Sequence, residues 1–218
     1  MKTNIKSKQR ISDHGEVFTN EREVNAMLDL VNDETERIES RFFEPACGDG
    51  NFLIKVLERK LSVVERRYKK NSDEYERYSI LALSSIYGVE LLEDNTNACR
   101  NRLYEFWNSE YIKNCKNFCN NETRESAKYI IQRNILNGDA LTLRDSNENP
   151  IIFSEWSAIN SNKIKRRDFR LDQLLEAQEE QISIFTVEWE FDKDSKAFIP
   201  KPVAEFPPTN YKEVYKHG

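Results

Sequence analysis

A chain of 218 residues is long enough to bury the core of one ordinary domain. With 33% charged and 38% hydrophobic residues it is wet for a globular protein, but 11% aromatics and regular apolar spacing exclude a disordered chain. The formal net charge of -5 predicts neither nucleic-acid nor membrane binding for the surface as a whole, and leaves room for a local basic patch. No apolar run approaches membrane-spanning length, and the polar start MKTNIKSKQRISDHG has no apolar stretch behind it, so a cytoplasmic protein is expected. Cys47, Cys99, Cys115 and Cys119 are expected as reduced thiols. Cys115 and Cys119 share a helix face, but no second pair or nearby His completes a metal site, and none is expected.

Residues 1–14 read as a flexible, mixed-charge arm. A helix is predicted from Glu21, where Val24, Met27, Leu28 and Val31 recur at helical spacing behind Asn20 as a cap, with Glu23 three residues on. Arg41-Phe42-Phe43 follows as a short strand that stops at Pro45. A tight turn over 46–51 leads into a helix with Leu53, Val56, Leu57, Leu61 and Val64 on one face. A Tyr- and Leu-rich helix is predicted over 73–85, then a strand Ile86-Tyr87-Gly88-Val89 ending on Glu90. Cys99, Leu103, Phe106 and Trp107 mark the next helix; Ala127, Ile130 and Ile131 mark another. A strand at 134–137 ends at Gly138-Asp139. Strands alternating with helices predict an α/β fold with a parallel sheet. Beyond about residue 145 the pattern changes. Ile151-Ile152-Phe153 suggests a strand, 161–170 is basic, 171–181 is a charged helix, and the last stretch reads as a hairpin with a Pro-stiffened tail.

The strongest chemical signal is Phe43-Glu44-Pro45-Ala46-Cys47-Gly48-Asp49-Gly50-Asn51-Phe52-Leu53. Gly48 and Gly50 lack the Cβ that would keep a ligand off the backbone, and the following helix turns its N-terminal amides toward it. It is neither a dinucleotide-binding G-x-G-x-x-G nor a phosphate-binding loop with its Lys, so phosphate is not the expected guest. Glu44 offers a carboxylate suited to an ammonium. This segment resembles the first motif of adenine-specific, amino-group DNA methyltransferases of restriction–modification systems. Gly15-Glu16-Val17-Phe18-Thr19 upstream resembles the element that precedes that motif, with Asn20 where the family has Pro. Tyr87-Gly88-Val89-Glu90 resembles the second motif and Gly138-Asp139-Ala140 the third. The gap from the glycine turn to Glu90 is about twice the roughly 20 residues of a simple unit, and the Tyr-rich helix explains the excess as an insertion.

The resemblance implies a class I, Rossmann-like methyltransferase fold with a doubly wound, mostly parallel sheet, complete or incomplete in this chain. It spans 15–145 as the domain for S-adenosylmethionine, with 146–218 completing the sheet or docking a partner. It implies cofactor contacts from Thr19, Glu44, Pro45, Ala46, Cys47, Gly48, Gly50, Phe52, Glu90 and Asp139, with Glu90 on the ribose hydroxyls and Asp139 on the adenine amine. The implied reaction is adenine-N6 methylation of DNA. The family's polar-Pro-Pro-aromatic transfer loop, however, has no counterpart. Asn149-Pro150 lacks the second Pro and the ring; Phe206-Pro207-Pro208-Thr209 lacks the polar residue. Only about 75 residues follow Asp139, too few for the rest of the sheet and a target-recognition region as well. The expectations are therefore a second chain that supplies the loop, a decayed enzyme, or a catalytically inactive subunit that binds S-adenosylmethionine or DNA; an RNA or protein methyltransferase is a further alternative. Trp156 and Asn160 are the nearest substitutes for the missing loop. Lys163, Lys165, Arg166, Arg167 and Arg170, beside Trp156 and Phe169, are the candidate nucleic-acid contacts; the alternative is a solvated basic loop.

Overall fold

The computed structural model describes residues 20–160, 162–176, 189–192 and 197–217. Helix α1 (Glu21–Leu30) starts where Asn20 accepts a hydrogen bond from the Glu23 amide at 3.0 Å, and buries Val24 and Leu28. A one-turn helix α2 (Asn32–Thr35) follows, then strand β1 (Phe42–Glu44). Helices α3 (Asn51–Tyr68) and α4 (Ser72–Ser84) connect β1 to β2 (Ile86–Glu90). Helices α5 (Glu93–Cys115) and α6 (Asn121–Asn134) connect β2 to β3 (Ile135–Asn137). The three strands pair in parallel in the order β1-β2-β3, so the molecule is α/β, with β2 buried along its whole length. The predicted insertion is α4, which packs against α3, α5 and α6.

Strand alternation divides the sheet into two faces. Phe42, Ile86 and Gly88 face the helices, where Lys60 lies 5.2 Å from the Phe42 ring. Phe43 and Tyr87 face the other way, and each meets Phe153 edge-to-face with ring centroids 5.5 Å apart. Phe153 belongs to β4 (Ile152–Ala158), which pairs antiparallel with β5 (Lys163–Arg170). Two short strands, β8 (Ala204–Glu205) and β9 (Thr209–Asn210), add to β5. Helix α7 (Leu171–Glu176) follows β5, and β6 (Trp189–Asp192) pairs with β7 (Ala197–Pro200) as the expected hairpin. Among the described residues, no strand after 145 joins the parallel sheet. That stretch builds antiparallel sheets, one of which lies across the sheet face away from the helices. Doubly wound pairing is therefore not what the described residues form.

Two buried charges tie the elements together. Glu76 on α4 accepts hydrogen bonds from the Tyr111 hydroxyl, from the Tyr211 hydroxyl at 2.7 Å and from Asn120 at 2.9 Å, and pairs with Lys212 at 2.6 Å. Burial works to raise its pKa, but Lys212 and the two tyrosines hold it below the usual carboxylate value. This cluster fastens the C-terminal segment to the helices. Lys60 on α3 is fully buried and donates to the carbonyls of Ile38 at 2.8 Å, Arg37 at 3.2 Å and Ser40, which fixes the approach to β1. Burial pushes its ammonium down to about 7.

Replacing Lys60 with Met keeps the volume and leaves three carbonyls without their donor. The expected loss is about 2 to 3 kcal/mol of unfolding free energy, the scale for stranding buried acceptors, read from urea titration. Wild-type stability in Lys60→Met would mean that water or main chain satisfies those carbonyls.

Candidate functional site

The carboxyl ends of the three parallel strands lie side by side, and each carries a residue singled out from the sequence. β1 ends on Glu44 and the glycine turn, β2 ends on Glu90, and β3 leads into Gly138-Asp139. Open α/β sheets place their ligands at this edge.

The turn is held by few, well-placed bonds. The Cys47 amide donates to Val89 O at 3.0 Å and extends the ladder past β1, and Gly50 N closes the turn onto Cys47 O at 2.8 Å. Gly48 and Gly50 have φ of +53° and +88°, a left-handed backbone that strains any residue with a Cβ. A Cβ on Gly50 would also stand 2.7 Å from Cys99 Sγ, and one on Gly88 would stand 2.8 Å from Cys47 Sγ. Glu90, buried, accepts from the Gly48 amide at 2.8 Å through Oε2, and from Leu92 N at 3.0 Å and Asn95 Nδ2 at 3.3 Å through Oε1. Arg102 on α5 reaches back to the turn, donating to Asp49 O at 2.7 Å and Asn51 Oδ1 at 2.9 Å and pairing with the Asp49 carboxylate at 2.9 Å.

Two carboxylate oxygens in this cradle have no partner although buried: Glu44 Oε2 and Asp49 Oδ1. Burial, then the neighbouring charges of Glu90 and Asp49, raise Glu44 to about 7. A buried carboxylate lacking a donor, among other carboxylates, is satisfied by a proton or by a cation. Asp139, part-buried, uses Oδ1 to accept from Leu141 N at 2.8 Å, and Gly138 N donates to Glu90 O at 3.0 Å, so the third loop is fastened to the second strand.

Other candidates lie elsewhere or serve differently. Pro45 and Ala46 are exposed on the turn, Cys47 is buried beneath it, and Phe52 is half-buried in the first turn of α3. Thr19 lies outside the described residues. Trp156 sits at the opposite end of the strands. Its Nε1 donates to Asn134 Oδ1 at 2.8 Å, and the Asn134 amide binds Ser84 O and Ile86 O where β2 begins, roughly a strand length away. Asn160 is exposed in the turn after β4, its carbonyl accepting from Lys163 N.

The basic run is a strand, not a loop, and four of its five cations face carboxylates. Arg166 forks onto Asp168 at 2.8 and 2.7 Å and lies 4.0 Å from the Phe206 ring; Arg167 binds Glu155 at 2.7 Å; Arg170 binds Asp172 at 3.0 Å; Lys165 meets Glu205 at 2.5 Å. Lys163 is exposed. These pairs hold the antiparallel layer together. Among the described residues no cluster of His, Cys, Asp and Glu is arranged to hold a metal, and no helix is long and apolar enough to cross a membrane.

Sequence reasoning passed over Arg102 and Asn95, polar residues inside a helix with no local motif to flag them. It also passed over Leu91 and Leu141, which follow the two acidic residues and stand 58% and 94% exposed. Apolar side chains placed so beside a polar cradle are a signal that only neighbours in space reveal.

Glu44 gives the cradle a pH signature. Its folded pKa, about 7, lies above its ordinary 4.5, so its stabilising contribution is fully present below about 4.5 and is lost as pH rises through about 7. Glu44→Gln should flatten that slope and be more stable than wild type above pH 8 by up to roughly 3 kcal/mol. Denaturation midpoints of both proteins from pH 5 to 9 check this; parallel curves would place Glu44 in contact with water.

Comparison of the chain with protein-family models, curated proteins and solved structures returned no match.

Proposed function

We propose that this chain holds S-adenosylmethionine for an adenine-N6 DNA methyltransferase of a restriction–modification system. The observation that carries the reading is the meeting of three sequence elements on adjacent strand ends around a cradle with two unpartnered buried carboxylate oxygens. The donor set fits the cofactor. Its methionine ammonium would answer the unpaired Glu44 oxygen, with Gly48 and Gly50 giving the backbone room. Glu90 keeps room for one ribose hydroxyl: its carboxylate has about four acceptor sites, of which the described donors fill three. Asp139 keeps Oδ2 for the adenine amine, and Leu91 and Leu141 offer apolar surface beside it. When bound, S-adenosylmethionine supplies an electrophilic methyl group on its sulfonium.

What this chain's residues do is bind, orient and hold charge. The exocyclic amine of adenine is a poor nucleophile, because its lone pair is delocalised into the ring until hydrogen bonds withdraw it. Among the described residues no group stands ready for that step: Trp156 and Asn160 are far from the cradle, and four of the five cations on the basic strand are met by carboxylates. Base activation and most DNA contacts are therefore assigned to a second polypeptide.

Calorimetry with S-adenosylhomocysteine tests the cofactor. Gly48→Val should abolish binding, and Glu90→Ala should weaken it by about 2 to 3 kcal/mol, the scale of lost charge-assisted hydrogen bonds. Because the ligand's ammonium would lower the pKa of Glu44, binding near pH 7 should also release protons, seen as a heat that varies with the buffer's ionisation enthalpy. Equal affinity in Gly48→Val would remove the turn from the site. The chain by itself should transfer no tritiated methyl to mixed-sequence DNA; turnover abolished by Trp156→Ala would return catalysis to β4.

A further inference from the structure

Strand β3 ends on Asn137, which stands opposite Glu90 in the parallel register. Its side chain reaches across to the end of β2, where Nδ2 donates to Glu90 O at 3.0 Å and to Leu91 O at 3.0 Å. An amide nitrogen carries two hydrogens, so both are spent, one on each of two consecutive carbonyls. Asn is the shortest side chain that can do this. Ser has one donor, and an ionised Asp has none.

The Leu91 carbonyl matters because of the other end of its peptide. The Leu91–Leu92 unit accepts from Asn137 through the Leu91 oxygen and donates through the Leu92 N–H to Glu90 Oε1 at 3.0 Å. A side-chain amide, one peptide and a carboxylate thus form a chain of two hydrogen bonds. This peptide lies past the ladder's last pair, Glu90 with Asn137, and before α5 begins at Glu93. The two bonds fix its plane from both edges. A peptide whose carbonyl is engaged is also the better donor at its N–H, because linked hydrogen bonds polarise one another. The Glu90 carboxylate is therefore aimed from two sides. Gly48 N–H holds Oε2, and the peptide that Asn137 holds, with Asn95 at 3.3 Å, fixes Oε1.

We propose that Asn137 is the positioning residue of the Glu90 carboxylate, acting through the Leu91–Leu92 peptide, and that it thereby sets how tightly the site takes a ribose hydroxyl. The ligand half of this statement rests on the S-adenosylmethionine reading. Asn137 acts without touching the ligand. Both its hydrogens are engaged by the chain, and its effect reaches the site only through Glu90.

The test uses the full chain, with amide hydrogen exchange read by NMR in the absence of ligand and calorimetry with S-adenosylhomocysteine. Asn137→Ala deletes both donors; Asn137→Asp keeps the size and, when ionised, deletes them too. In either variant the Leu92 amide should exchange about tenfold faster. The Cys47 amide, bonded to Val89 O at 3.0 Å, should keep its rate and so report an intact turn. S-adenosylhomocysteine should bind about tenfold more weakly to both variants. Glu90→Ala supplies the readout that a merely structural role would not move. With the carboxylate gone, adding Asn137→Ala should cost less than about twofold more, since residues acting through one interaction are not additive. An unchanged Leu92 rate in both variants would overturn the proposal. So would a full tenfold loss on top of Glu90→Ala, or faster exchange at Cys47 in both variants, which would make Asn137 a support of the fold at large. If the wild-type chain binds no S-adenosylhomocysteine, the cofactor reading falls, and the Leu92 exchange rate alone decides whether Asn137 holds the carboxylate.

Discussion

Glu90 sits at the end of the central strand, and three parts of the molecule are set by what its carboxylate and its carbonyl accept. Gly48 N–H binds one oxygen and fixes the glycine turn; Leu92 N and Asn95 bind the other and fix the start of α5. The Glu90 carbonyl takes the Gly138 amide and the Asn137 side chain, which brings the third loop alongside. Burying a carboxylate costs free energy unless donors surround it, and here those donors come from two segments, while the carbonyl of the same residue holds the third loop. The turn, the helix and the loop must therefore be in place together.

Below that level the sheet depends on close approach. The glycine turn can lie against β2 because Gly88 leaves space for Cys47, and α3 can start at Gly50 because the backbone takes a left-handed φ there. Lys60 then fastens the loop ahead of β1, and Arg102 fastens the turn behind it. The cradle is thus held from both sides of the strand that carries it.

Local periodicity made most of this legible. The helices around Leu53–Val64, Cys99–Trp107 and Ala127–Ile131 and the strands ending at Glu90 and Asn137 follow from spacing and from Gly and Pro punctuation alone. Asn20 and Glu23 marked the first helix start correctly. The stretch 163–170 was less readable, because KIKRRDFR has the look of a solvated basic segment. It is a strand because it pairs with β4, and two of its cations are met by Glu155 and Glu205, which no local window contains. Trp156 was hidden for a similar reason: its hydrogen bond to Asn134 depends on how the antiparallel layer crosses the sheet. Glu76 and Lys60 carry no local signal of burial, yet both are buried, because their partners come from elsewhere in the chain.

The contacts of Gly50 with Cys99 and of Gly88 with Cys47 carry a consequence for how this sequence can drift. Each glycine gives up the room that a sulfur atom fills, and each sulfur atom is too far inside to move aside. A methyl group gained at position 88 would need volume given back at position 47 and a shift of Leu53, and one gained at 50 would need volume from 99, besides a change of backbone angle. Single steps at any of the four sites therefore lead to a collision or a void, and only paired steps keep the packing. The four residues form two interlocked couples, and the chemistry above them inherits their resistance to change.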